Sequence, residues 1–148
     1  MSVTVGIPAL DVAEYHRPYV AVWIEAADRS VTNLAVWYEV GAKDREGTKW
    51  LKDLRQWWRR SGRELDMPVD GITGPTQAPG DHTIDLRGAE APLAGLTPGE
   101  YTLVVEAARE TGGRELLRLP FTWPAAAAGS DTVRGTSELG PVTLAFKP

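Results

Sequence analysis

Between Asp70 and Gly80 the chain reads DGITGPTQAPG, with three glycines, two prolines and two threonines in eleven residues. Little in it suits a core. Glycine permits positive φ and close backbone approach, and proline fixes φ, so the stretch reads as an exposed, sharply turning loop. The chemistry it offers is that of the hydroxyl. Thr73 and Thr76 each present one, and such a loop can carry a covalent attachment point. The plain alternative is a surface turn. Other chemistries find less support. There is no cysteine, which removes disulfides, thiol catalysis and cysteine-bound zinc. The two histidines, His16 and His82, lie far apart in sequence and form no metal-ligand spacing. No G-x-S-x-G occurs, "GPTQAPG" lacks the lysine of a phosphate-binding loop, and "GITGPT" is not a dinucleotide fingerprint. Twenty acidic residues always offer carboxylate pairs, so a glycosidase reading has nothing specific behind it.

A length of 148 residues fits one domain spanning 1–148, with enough chain to bury a core without staples. The formal net charge of −4 disfavours nucleic acid as a partner. No apolar run approaches the ~20 residues of a membrane-spanning helix. No leader is read at the start, where Val3, Val5 and Ile7 already alternate like a strand.

Most of the chain reads as strands. "YVAVWIE" (Tyr19 to Glu25) and "LAVWYEV" (Leu34 to Val40) are rich in β-branched and aromatic residues, and the short polar link between them predicts a hairpin. "GEYTLVVEAAR" and "ELLRLPFTW" flank "ETGG", a second hairpin. "DHTIDLRG" and "PVTLAFKP" add two strands, and "PAAAAGSDTVRGTSELG" reads as a loose connection. The fold class is therefore all-β, an antiparallel sandwich, with a barrel as the other all-β solution. One segment breaks the pattern. Trp50, Leu51, Leu54, Trp57 and Trp58 share a helical face and predict one inserted amphipathic helix, about Lys49–Ser61, with Thr48 as its cap and Gly62 at its close. Lys52, Arg55, Gln56, Arg59 and Arg63 form a basic stripe opposite. Helix-on-sheet packing is the plain reading of Trp57 and Trp58. The functional reading makes one of them a platform for a planar ring, with Arg59 as a nearby cation.

The segment Asp70-Gly71-Ile72-Thr73-Gly74-Pro75-Thr76 resembles the acceptor sequence, D-[GA]-x-[ST]-G-x-[ST], of bacterial flavin transferases. These enzymes link FMN to a threonine or serine hydroxyl. By this matching Thr76 is the acceptor, and Asp70, Gly71, Thr73 and Gly74 belong to the recognised sequence. Asp70 is expected to bond the backbone two residues on and fix the turn. Pro75 departs from the usual alanine. A second resemblance covers roughly Leu10 to Trp123. "YHRPYVAVWIE", "LAVWYE", "WLKDLRQWWRRSGR" and "PGEYTLVVEA" look like a family of predicted periplasmic proteins whose genes neighbour PepSY-type membrane reductases and a flavin transferase. "PGEYTLVVEA" is also similar to the immunoglobulin-like module of flagellar hook-capping proteins, which favours an Ig-like sandwich. The resemblances imply a periplasmic electron carrier with covalent FMN on Thr76, not itself an enzyme, serving iron reduction and exchanging electrons with a membrane reductase. The alternative is a flavin-free interaction module of the same fold.

Overall fold

In the computed structural model, which describes residues 1–87 and 92–147, nine strands form two separate sheets, so the fold is a sandwich and not a barrel. The predicted strand ends at Gly88 and Pro148 lie outside the described residues. The strands are β1 (Ser2–Ile7), β2 (Tyr19–Ala26), β3 (Val31–Tyr38), β4 (Thr73–Pro75), β5 (Gly80–Asp85), β6 (Gly99–Ala108), β7 (Arg114–Trp123), β8 (Gly129–Arg134) and β9 (Pro141–Phe146). One sheet has the order β5-β1-β9-β8 and the other β4-β3-β2-β6-β7. The pairings are antiparallel except β3 with β4, which is parallel. The hairpins β2–β3 and β6–β7 form as expected. "GSDTVR" is a strand, β8, and not a loose connection. It lies at a sheet edge and is exposed almost throughout, so it lacks the apolar alternation by which a strand is recognised.

The five-stranded sheet is covered on both faces, which explains its near-continuous apolar strands. Its inner face packs Val20, Val22, Ile24, Leu103 and Val105 against Val3, Val5, Val142 and Leu144 of the other sheet. Its outer face packs Tyr19, Ala21, Trp23, Val36, Tyr38 and Val104 against Leu51, Leu54 and Trp57. The covering segment is not the single α-helix expected over Lys49–Ser61. A 3₁₀ stretch, Lys43–Asp53, leads to a short α-helix, α1 (Arg55–Arg60). Leu54 breaks the two, with φ −77° and ψ 75°. The physical reason is the sheet beneath. Glu106 on β6 is completely buried and accepts hydrogen bonds from the N–H groups of Gln56 (3.0 Å) and Trp57 (2.8 Å). A carboxylate from the sheet thus starts α1 where no side chain of its own caps it. Thr48 is not a cap, since its hydroxyl donates to the Arg45 carbonyl within the 3₁₀ stretch. Gly62 follows α1 for a steric reason. A Cβ there would sit 2.5 Å from Cζ3 of the fully buried Trp57 ring.

Acidic side chains also tie the ends of the sandwich. Glu138 forms a buried pair with Arg109 (Nε to Oε2, 2.8 Å) and accepts from the Gly113 amide. Glu115 takes amide hydrogen bonds from Thr136, Ser137, Glu138 and Leu139 and so clamps the turn before β9. Burial alone would raise the Glu115 carboxyl, but the bonds from Thr136, Leu139 and Ser137 outweigh it and hold the group below its usual value of 4.5. A depressed folded-state value contributes stability above the unfolded value, and this is lost as pH falls through the folded one. Denaturant midpoints measured from pH 6 downward should therefore decline below about 4.5. Glu115→Gln should flatten that decline. An unchanged slope in the variant would show that other carboxylates set it.

Candidate functional site

β4 is the edge strand of one sheet and β5 the edge strand of the other, and the loop from Thr76 to Pro79 joins them across the open side of the sandwich. The DGITGPT segment is therefore only half loop, because Thr73, Gly74 and Pro75 pair with Val36, Trp37 and Tyr38 of β3. The turn into β4 is built on Val69. Its carbonyl accepts from the amides of Ile72 (3.4 Å) and Thr73 (3.2 Å), and Gly71 takes φ +87°. Asp70 is exposed and makes no side-chain hydrogen bond among the described residues, so it does not fix this turn as expected. Thr73 does that work. Its Oγ1 accepts from the Val69 amide (2.9 Å) and donates to the Val69 carbonyl (2.8 Å).

The two threonines of the motif thus differ. The Thr73 hydroxyl is committed both as donor and as acceptor. Thr76 is half-buried, and its hydroxyl makes no hydrogen bond among the described residues. Gly74 does not adopt positive φ. It is needed for close approach, since a Cβ there would lie 3.2 Å from Cδ1 of Trp37. Beyond Thr76, Gln77 donates its amide N–H to the Pro75 carbonyl (2.9 Å). His82 on β5 reaches back to the Ala78 carbonyl (2.6 Å), and because a carbonyl only accepts, Nε2 carries the proton. The His82 and Trp37 rings meet edge to face with centroids 6.1 Å apart. A groove of about 480 Å³ runs between the two edge strands, walled by Trp37, Ile72, Thr73, Gln77, His82 and Ile84.

The structure keeps Trp57, Trp58 and Arg59 away from Thr76, although Ile72 at the start of the motif packs against the same outer-face cluster as the two indoles. Trp57 is fully buried, with its indole N–H on Asn33 Oδ1 (2.9 Å), so it cannot be a ring platform. Asn33 also bonds Ser61 just after α1, which fixes that end of the helix near the start of β3. Pro75 pairs with Tyr38 at the end of β3. Five residues of strand separate the two positions, about 17 Å at ~3.3 Å per residue. Trp58 is half-buried and lies with Lys52, Arg55, Arg59 and Arg63 around a depression of about 390 Å³ on the outer surface. These four cations make no ion pair among the described residues, so the basic stripe is a free positive face on a chain of net charge −4. Trp50, expected on the buried face, is half exposed and edges a second pocket of about 460 Å³ beside the β6–β7 hairpin, with His16, Arg17, Tyr19 and Arg114.

Trp37 and His82 are the neighbours that the sequence reading missed. The available signal was alternation. His82 and Ile84 are the half-buried positions of an otherwise exposed β5, so they turn toward the other sheet, where Trp37 belongs to the inner core. Among the described residues no helix is long and apolar enough to cross a membrane. No curated protein and no solved structure matches the chain. Residues 1–141 match the family model described as predicted periplasmic protein (DUF2271), and the chain belongs to that family of periplasmic proteins.

Proposed function

We propose that the protein is an extracytoplasmic electron carrier holding FMN through a phosphoester on Thr76. The observation that supports this reading is the contrast between the two motif threonines. Thr73 is locked into the turn, whereas Thr76 keeps an uncommitted hydroxyl on a loop at the sandwich edge. In the attachment reaction the Thr76 Oγ–H bond breaks and an Oγ–P bond forms to the FMN phosphorus of FAD. The P–O bond of the pyrophosphate breaks, AMP leaves, and the proton passes to a base of the transferase. The protein is thus the substrate of a flavin transferase and has no catalytic residues of its own. Bound FMN supplies two-electron uptake and one-electron release. Around it, this chain contributes the turn fixed by Thr73 and Gly71, and the Trp37 and His82 side chains. Co-expression with a flavin transferase tests the reading. The intact mass should rise by one FMN less one water, and a mass unchanged under active transferase would sink it.

The same reading makes a PepSY-type membrane reductase the electron partner, in service of iron reduction. The free basic face of Lys52, Arg55, Arg59 and Arg63 suits an acidic docking surface on such a partner. Arg55→Glu with Arg59→Glu should slow electron exchange with reductase-bearing membranes by about tenfold at low salt. The difference should shrink as salt is raised, because exposed charges are screened. Equal rates at low salt would remove this face from the encounter. That face also supports the second reading, a flavin-free interaction module, in which docking persists when Thr76 is unmodified.

A further inference from the structure

We propose that the groove between β4 and β5 is the docking site for the planar ring of a flavin carried on Thr76, with Trp37 as its aromatic wall and His82 at its rim. The proposal rests on the attachment reading above and names where the ring goes.

Continuity is the first argument. Thr73 and Gln77, which flank Thr76 in sequence, both line the groove, so the arm enters it without crossing another element. Reach is the second. Eight bonds separate Thr76 Oγ from the ring nitrogen that bears the ribityl chain, and an extended chain advancing ~1.2 Å per bond spans about 10 Å. Trp37 pairs with Gly74, only two residues before Thr76, about 7 Å along the strand. The start of β3 beside α1 lies about 17 Å away and outside that span. The Trp50 pocket lies mainly under the turn of the β6–β7 hairpin, on the far side of β2 from β4, and comes toward Thr76 only at Glu39.

Size and chemistry also agree. A volume of about 480 Å³ falls within the range of small-molecule sites. Trp37 is 8% exposed and lines the groove, and a Cβ on Gly74 would press to within 3.2 Å of its Cδ1. His82 is held by Nε2, which leaves Nδ1 as an acceptor with no partner among the described residues. Gln77 is likewise held by its amide N–H, and its Oε1 is free in the same sense. Two acceptors beside an indole edge match a planar heterocycle that carries one ring N–H donor.

The test uses protein co-expressed with the transferase and compares Trp37→Phe, His82→Ala, Trp50→Phe and Trp58→Phe with the parent. Intact mass reports attachment, and flavin emission and its quenching by iodide report docking. All five proteins should carry one flavin. Trp37→Phe should brighten the flavin several-fold, and His82→Ala should raise its accessibility to iodide. Trp50→Phe and Trp58→Phe should change neither. If Trp37→Phe does not fold, His82→Ala together with Gln77→Ala decides the matter by the iodide measurement. Full flavin mass with parental emission and quenching in the groove variants overturns the docking site and leaves the attachment intact. A change confined to Trp50→Phe or Trp58→Phe likewise overturns it and moves the ring to that pocket. Absence of flavin mass from every protein, the parent included, instead overturns the attachment reading.

Discussion

Thr76→Val is expected to abolish covalent flavin completely while leaving the fold untouched. The side chain keeps its branched shape and loses only a hydroxyl that bonds nothing among the described residues, so stability should change by no more than ~0.5 kcal/mol. Thr76→Ser keeps the nucleophile and should label. Thr73→Val supplies the contrast. It removes an oxygen bonded to both the amide and the carbonyl of Val69, and should cost about 1–2 kcal/mol while lowering the yield of labelling without preventing it. Intact mass and in-gel flavin fluorescence read the first effect, and urea denaturation reads the second. Flavin on Thr76→Val would reassign the acceptor. Complete loss in Thr73→Val, with normal labelling of Thr76→Val, would make Thr73 the attachment point.

Glu106→Ala should be the most damaging single substitution on the outer face of the five-stranded sheet. The carboxylate is completely buried, accepts from two amides at the start of α1, and meets Arg114 Nε at 2.5 Å. Removing it strands two backbone donors, one of them buried, beside a cation that has lost its partner. Arg114 is 38% exposed on its side chain and can turn to water, which limits its share of the loss. The amides cannot. A loss of about 3 kcal/mol follows, a drop in melting temperature of roughly 10 °C for a domain of this size. Glu106→Gln retains an acceptor oxygen and should lose about half as much. Flavin loading should survive in both, because the acceptor loop is anchored on β3 and Val69. A melting temperature unchanged in Glu106→Ala would mean that α1 does not depend on this carboxylate.

Glu106 also shows where the sequence stops being legible. "VVEAA" and "WIEA" read as strands, and nothing in them tells where their glutamates lie. The strands are right, but Glu25 and Glu106 are buried, because the helical segment covers that face. Trp57 illustrates the same limit. Its helical spacing with Leu51 and Leu54 points to a core as readily as to a platform, and only the Gly62 contact and the Asn33 bond settle it as core. β2, β3 and β6 were readable because both of their faces are apolar, and β7 because its apolar residues alternate with exposed ones from Arg118 to Thr122. β4 was not, being three residues long and ended by proline, and its pairing with β3 leaves no trace in residue pattern. The motif marked its own position, yet nothing in it named Trp37 or His82, which reach it from two other strands.

The short pairing of β4 with β3 has a kinetic corollary. Under the proposed attachment, a transferase would have to take Thr76 into its own active site while three of the motif's residues are held in a sheet edge. Edge segments with few paired residues open at a small fraction of the global unfolding free energy. Attachment would then run at the transferase's own rate multiplied by the fraction of molecules with β4 open. Substitutions on β3 that loosen its grip on β4, none of them near the hydroxyl, would shorten the time to full labelling and leave its final extent the same. On that reading the sheet edge would act as a timer on the modification, its setting written in Val36 and Tyr38 as much as in the motif.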